Sequence, residues 1–306
     1  MRLWSHERFS FPLPGHHRFP LGKYALLRER VVALGLAAPD DVLEPEPVAW
    51  EDLALVHSRE LLARVRSGSF TRREEQALGL PWSPELVERA RRATRGTMEA
   101  AFDALETGLG MNLGGGTHHA GHDVSRGFCL VNDVAVASAC ARREEWARRI
   151  LIVDCDVHQG DGTAELFAGD EDVFTLSVHC ALNYPFRRAR SDLDVDLPRQ
   201  TGDETYLATL DRALATALGA GPYDLAFFLA GADPWEGDAL GRLALTKDGL
   251  RRRDALVLDR LRDDTSLPVC VVLAGGYAPD VRDTVEINAA TVAAVSERAR
   301  STVGGR

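Results

Sequence analysis

The densest chemistry in the chain is the run Asp154-Cys155-Asp156-Val157-His158-Gln159-Gly160-Asp161-Gly162. In an extended segment alternate side chains point the same way, so Asp154, Asp156 and His158 share one side. Cys155 then turns away as a packed thiol. Asp156 and His158 are natural ligands for one metal ion; the competing reading is a tight turn whose aspartates cap the next helix. A third ligand must come from elsewhere. Asp233 follows the apolar run Leu225-Ala-Phe-Phe-Leu-Ala230, and a carboxylate buried there needs a cation or a donor to compensate it. Taken alone, Asp233 would instead cap a helix. One histidine and two aspartates leave a tetrahedral ion with an open position, which is the arrangement of a catalytic site. Zinc (Zn2+) is the default, and ferrous iron (Fe2+) also suits so oxygen-rich a set.

His118-His119 ends the stretch Leu113-Gly-Gly-Gly-Thr, whose glycines allow close backbone approach to a ligand. Asp154 and Asp161 are left over from the metal cluster. Each can accept the Nδ1 proton of one imidazole, fixing its tautomer and raising its basicity. Histidine suits general acid–base work near neutral pH. His122 reads as a rim residue, and the second pair, His16-His17, as surface. Tyr277 follows Ala274-Gly275-Gly276, where a phenol can be aimed into a cleft to donate to a developing oxyanion. Standing alone it would read as a core tyrosine.

These residues need elements to position them. Helical patterns are predicted at Leu21–Leu34, Trp50–Arg66 and, from the Ser83-Pro84 cap, to about Glu106 before Gly108. Beyond residue 110, short apolar runs alternate with longer amphipathic stretches. The predicted strands are Met111–Leu113, Arg149–Asp154, Val173–Val178, Leu225–Ala230 and Val269–Ala274. The predicted helices are Asn132–Arg148, Thr163–Ala168, Asp203–Leu218, Lys247–Arg262 and Val281–Arg300. This alternation predicts an α/β fold with a parallel sheet covered on both faces. Ligand sites in such sheets lie beyond the carboxyl ends of the strands. GGGTHH, DCDVHQGDG, SVH, GADPWEGD and GGYAPD all fall there.

Hydrophobic residues are 45% of the 306 and charged residues 27%, the balance of an ordinary globular chain, and one domain spanning 1–306 is expected. The formal charge of −10 disfavours non-specific nucleic-acid binding and leaves room for a cationic substrate. The five cysteines are odd in number and show no C-x-x-C spacing, so neither a disulfide framework nor a thiolate zinc site is signalled. The opening MRLWSHERFSFPLPGHHRFP lacks the apolar core of a signal peptide, and no run reaches the roughly 20 apolar residues of a membrane helix. A cytoplasmic location is the expectation.

HHAGHDVSRGFCLVND, DCDVHQGDG, TLSVH, GADPWEGDALGRLALT and LAGGY resemble, in order and spacing, the zinc-dependent histone deacetylase superfamily. The segments HHRFPLGKYALLRERV, GLPWSPELVERA and NYPFRRARSDLDVDLPRQTGDETYL look most like its class IV and related bacterial branch. The resemblance implies a three-layer arginase/deacetylase-like fold. It implies zinc ligands Asp156, His158 and Asp233, tandem histidines His118 and His119, and a catalytic Tyr277. Gly127, Phe128 and Tyr184 would help form an acyl tunnel, with Gly275 and Gly276 beside it. Arg18 resembles the arginine of an acetate-release pocket. A structural potassium ion would sit near Asp154, Ser177 and the carbonyls of Asp156, His158 and Val178. Thr117 departs from the bulky aromatic many members carry before the histidine pair, and no rim aspartate matches.

The residues fit metal-assisted amide hydrolysis with His119 as general base, His118 tuning the site and assisting the leaving amine, and Tyr277 holding the oxyanion. The substrates implied are acylated lysine in a peptide or protein, or an acetylated polyamine or other small amide. Two rivals are weighed. An arginase-like binuclear manganese site needs extra aspartates and histidines bridging two ions, and the Asp233 loop offers only one suitable carboxylate before Asp238. A catalytically dead acyl-lysine binder usually lacks one of the residues retained here.

Overall fold

The alternation of apolar side chains in the central strands decides the architecture. In the computed structural model, which describes residues 1–303 apart from Pro14 and His16 (301–303 by backbone alone), the strands are β1 Leu3–Trp4, β2 Val42–Leu43, β3 Leu109–Asn112, β4 Ile150–Asp154, β5 Val173–Cys180, β6 Leu193–Leu197, β7 Leu225–Leu229 and β8 Val269–Val272. They form one sheet in the order β2-β1-β3-β8-β7-β4-β5-β6, with every pairing parallel. Ile150 and Ile152 of β4 and Leu225, Phe227 and Leu229 of β7 belong to one core; Leu151, Val153, Ala226 and Phe228 belong to the other. Both faces are therefore dry, and each needs a helical cover.

In chain order the helices are α1 Lys23–Ala33, α2 Trp50–Leu53, α3 Arg59–Ser67, α4 Arg72–Leu78, α5 Pro84–Thr107, α6 Asp133–Arg143, α7 Asp161–Leu166, α8 Asp203–Gly219, α9 Lys247–Leu258 and α10 Val281–Val303. Residues of α1, α8, α9 and α10 pack on one face, and those of α3, α5 and α6 on the other. The result is three layers, as expected. Helix α5 starts at the predicted cap, where Ser83 Oγ accepts from the Leu86 N–H, and ends at Gly108 with φ +90°.

Several boundaries differ from expectation. The helix predicted over 50–66 is two: the chain turns after Leu53, and Ser58 opens α3 by accepting from the Leu61 N–H. Helix α6 stops at Arg143, short of the predicted 148, because Glu145 adopts φ +58°. Strand β8 stops two residues early, and Ala274 beyond it takes φ +45°. Strands β1, β2 and β6 and helix α4 were not among the predicted elements. All five cysteines are free and buried, and no helix among the described residues is long and apolar enough to cross a membrane.

Candidate active site

The carboxyl ends of β3, β4, β7 and β8 converge on one depression. From β4 come Asp156 and His158, and from β7 comes Asp233; one donor atom from each lies within 4.8 Å of the others, and all three residues are buried. The backbone fixes the outer oxygens of this set. Asp156 Oδ2 accepts from Gly275 N–H at 2.8 Å, and Asp233 Oδ1 accepts from Val157 N–H at 2.9 Å. His158 Nδ1 stands 3.0 Å from Asp156 Oδ1 and 3.3 Å from Asp233 Oδ2. Asp233 Oδ2 is fully buried yet has no hydrogen-bond partner.

Burial and the neighbouring Asp156 charge push the Asp233 carboxyl upward. Two carboxylates held this close in a dry site call for a cation, and the orphaned oxygen is where one would bind. The donor set therefore fits a metal ion. Gly275 is required for the cradle: a Cβ there would fall 2.1 Å from Asp233 Oδ2 and 2.5 Å from Asp156 Oδ2.

Two imidazole–carboxylate pairs stand beside the cradle. His118 Nδ1 lies 2.6 Å from Asp154 Oδ2, and His119 Nδ1 lies 2.6 Å from Asp161 Oδ1. Their surroundings separate them. Burial opposes charging His118, but the Asp154 and Asp156 carboxylates outweigh it and raise the ring to about 9. Burial together with its cationic neighbour His118 lowers His119 to about 4, despite Asp161, whose other oxygen pairs with Arg126 Nε at 2.9 Å. At neutral pH one ring thus holds a proton and the other can take one.

Tyr277 lies across the depression, its ring 6.4 Å from that of His158. Burial, aided by Asp156 and Asp233, keeps its phenol well above the ordinary value, so it remains a donor.

The expected wall residues gather here too. The Tyr184 ring is perpendicular to that of His119 at 4.9 Å, and Phe128 is 5.8 Å from Tyr277. Gly127 has φ +57°, and a Cβ would strike the His119 ring at 2.5 Å. Gly276 is buried beside Tyr277. His17 is half-buried, bonded to Gly79 O and edge-on to Phe128, which corrects the surface reading; His16 lies outside the described residues. Among the expected potassium residues, Asp154 and Ser177 face each other in register, and Val178 follows, all buried.

Arg18 is not part of the site. Its side chain is exposed, whereas the arginine lining the inner cavity is Arg89 of α5, together with Phe19 and Tyr24. Arg89 donates to Phe9 O and Tyr24 Oη. The correction has a simple cause: the chain turns between 18 and 19, sending Phe19 inward and Arg18 out. Arg89 carries no local mark in the sequence, because a buried arginine on a long amphipathic helix reads as surface.

Other supporting residues also escaped sequence reasoning. The buried Lys23 points Nζ at the carbonyls of Ala274 and Gly276, at 3.4 and 3.3 Å, and sits 5.5 Å from the Tyr277 ring centroid. Asp238 accepts the Tyr277 N–H at 2.6 Å and so braces the tyrosine loop. Arg253, fully buried on α9, donates to the carbonyls of Cys155 and Gly231 and so ties together the two loops that carry the ligands. Asp133 accepts from the N–H groups of Gly116 and Thr117 and from the Thr97 and Thr117 hydroxyls, which sets the approach to the histidine pair and gives Thr117 its own task. A geometry of this kind is visible only once distant segments are brought together.

Comparison with known proteins agrees with this geometry. The histone deacetylase domain profile matches residues 17–294. Histone deacetylase 2 of Arabidopsis thaliana is 30% identical over 88% of this chain and 73% of its own length. A histone deacetylase-like amidohydrolase of Pseudomonas aeruginosa is 28% identical over 86% of this chain and 73% of its own. A solved histone deacetylase homologue in complex with SAHA superposes with a TM-score of 0.82 at 23% identity, covering 97% of this chain and 84% of that one. The convergence of metal cradle, paired histidines and tyrosine on a sheet of this topology, with a family profile spanning nearly the whole length, establishes that the chain belongs to the histone deacetylase family.

Proposed function

We propose that this chain is a zinc-dependent deacylase that removes acetyl or longer acyl groups from the side-chain amine of lysine. One observation carries the reading: a buried Asp156–His158–Asp233 set, with an orphaned Asp233 oxygen, lies beside two differently tuned histidines and a tyrosine donor. Zinc held by these three side chains would supply Lewis acidity to the amide carbonyl and acidify a water molecule; ferrous iron suits the same donors.

The protein's own groups do the rest. His119, neutral and oriented by Asp161, accepts the proton of the attacking water at Nε2. His118, whose proton is held by Asp154, is the acid that delivers a proton to the departing amine. Tyr277 donates to the oxyanion of the tetrahedral intermediate. Phe128, Gly127 and Tyr184 form the apolar passage that holds the acyl-bearing chain straight and keeps bulk water away. The reading includes a structural potassium ion at Asp154, Ser177 and the carbonyls of Asp156, His158 and Val178.

The test is release of lysine from fluorogenic peptides carrying acetyl and longer acyl groups, with metal-loaded and chelator-stripped protein. Metal-dependent turnover is expected. No chelator-sensitive turnover on any acyl length would overturn the reading in favour of a binding protein.

A further inference from the structure

The loop between β5 and β6, together with the turn after β6, has a charge opposite to that of the chain as a whole. It begins where Tyr184 meets His119 edge to face, and the Tyr184 ring is followed at 6.4 Å by that of Phe186. Phe186 is 94% exposed and Leu182 is 68% exposed, so the mouth of the site presents bare apolar surface. Arg187, Arg190 and Arg199 are also exposed, and none has a carboxylate partner among the described residues; the Arg199 guanidinium donates to Leu182 O instead.

The three aspartates of the same stretch are already engaged. Asp192 accepts from the Thr175 N–H and hydroxyl, Asp194 from Gln159 Nε2 and the Ser191 N–H, and Asp196 from Arg188. Gln159 follows the ligand His158 and also donates to Ala189 O at 2.8 Å, so this rim is fastened directly to the floor of the site. Across the mouth, Arg126 is matched by Asp161 and Glu165. The unmatched charge on the rim loop is therefore positive, although the whole chain carries −10.

We infer that this rim selects an acylated lysine flanked by acidic residues in a peptide and discriminates against acylated polyamines. The inference rests on the deacylase reading and narrows its substrate class. An acylated polyamine brings its remaining ammonium groups to the mouth, where Arg187, Arg190 and Arg199 repel them. A peptide brings carboxylates that pair with those guanidiniums, while its alkyl and aromatic groups cover Phe186 and Leu182. Guanidinium is well suited to carboxylate because its paired donors match the two oxygens. The attraction acts across exposed surface, so it governs capture more than turnover and weakens as salt rises.

The experiment compares matched acetyl-lysine peptides with flanking Glu or flanking Lys, and a monoacetylated polyamine, on the metal-loaded enzyme. At low ionic strength the acidic peptide should exceed the basic one by about 3–10-fold in kcat/KM, chiefly through KM, with the polyamine lowest. The ratio should shrink towards one at high salt and invert in the double variant Arg187→Glu/Arg190→Glu. Equal kcat/KM for the two peptides at low salt, a ratio indifferent to the double variant, or a polyamine preferred over the acidic peptide would each overturn the inference while leaving deacylation standing. Absence of turnover on every substrate would instead defeat the deacylase reading itself.

Discussion

The floor of the site and its rim are built on different terms. On the floor nearly every polar atom has an assigned partner: Asp156 is held by Gly275, Asp233 by Val157, His118 by Asp154 and His119 by Asp161. Asp233 Oδ2, buried without a hydrogen-bond partner, is the atom that asks for a cation. On the rim the aromatic and cationic groups of Phe186, Arg187 and Arg190 face water. The floor is fixed by strand ends, whereas the rim is a loop fastened at its base through Gln159 and Thr175 and open to water at its tip. On the proposed reading, chemistry belongs to the floor and choice of substrate to the rim.

Substitutions can break this division, the largest effects coming from the floor. Asp233→Asn should abolish tight metal binding and reduce hydrolysis to background, measured by metal content and turnover. The same change should raise the melting temperature of the stripped protein, because it removes one of two carboxylates buried side by side. A stripped variant that melts lower would show that Asp233 stabilises the fold without metal. Tyr277→Phe should retain metal and substrate binding but lose about 10²–10³-fold in kcat; near wild-type turnover would remove it from the mechanism.

Lys23→Met tests the layer behind the tyrosine. Its loss frees the carbonyls of Ala274 and Gly276, so kcat should fall by about 10-fold or more with KM little changed. In a Tyr277→Phe background the same change should cost little further; additive losses would mean that Lys23 does not act through the tyrosine.

A smaller effect concerns stability rather than turnover. His57 is buried, bonded to Gly121 O through Nδ1 and accepting the Asn132 N–H at Nε2. Burial lowers it from 6.5 to about 4. Between these values the unfolded chain binds the extra proton, so stability present above pH 6.5 declines as pH falls towards 4. The loss should approach about 3 kcal/mol, read from urea unfolding at several pH values. His57→Gln should flatten that dependence. The rim substitutions Arg187→Glu and Arg190→Glu come last, inverting together a preference of about 3–10-fold.

The same division explains what could be read from the sequence. Floor residues follow strands whose apolar runs announce them, so Asp156, His158, Asp233, His118, His119 and Tyr277 each stand just past a strand end. The residues behind them could not be. Lys23, Arg89 and Arg253 are long cationic side chains on helices, and in a sequence such residues look like solvent-facing ones. Their burial follows from which carbonyls the tertiary fold leaves unpaired. Arg18 stands beside the His16-His17 motif in the sequence, whereas Arg89 comes to the cavity only across the fold. Strands β1 and β2 are two residues each, too short to show any period. Strand β6 did carry a signal, the alternating Leu-Asp-Val-Asp-Leu of an edge strand, concealed within a segment read as rim.

The order of strands also sets when the site can come into being. Strand β8 lies between β3 and β7, although more than half the chain separates it from β3. During synthesis β3, β4 and β7 all emerge before the strand that must be inserted among them. Until then the edges of β3 and β7 stand open, in the kind of non-local parallel pairing that forms slowly and exposes a nascent chain to misassembly. Gly275 and Tyr277 arrive with that last strand, so the Asp156–Asp233 cradle and the tyrosine beside it are completed in the same step that closes the sheet. A ribosome-bound chain stalled before β8 should accordingly be a client for chaperones and catalytically silent, however well its earlier histidines and aspartates have been made.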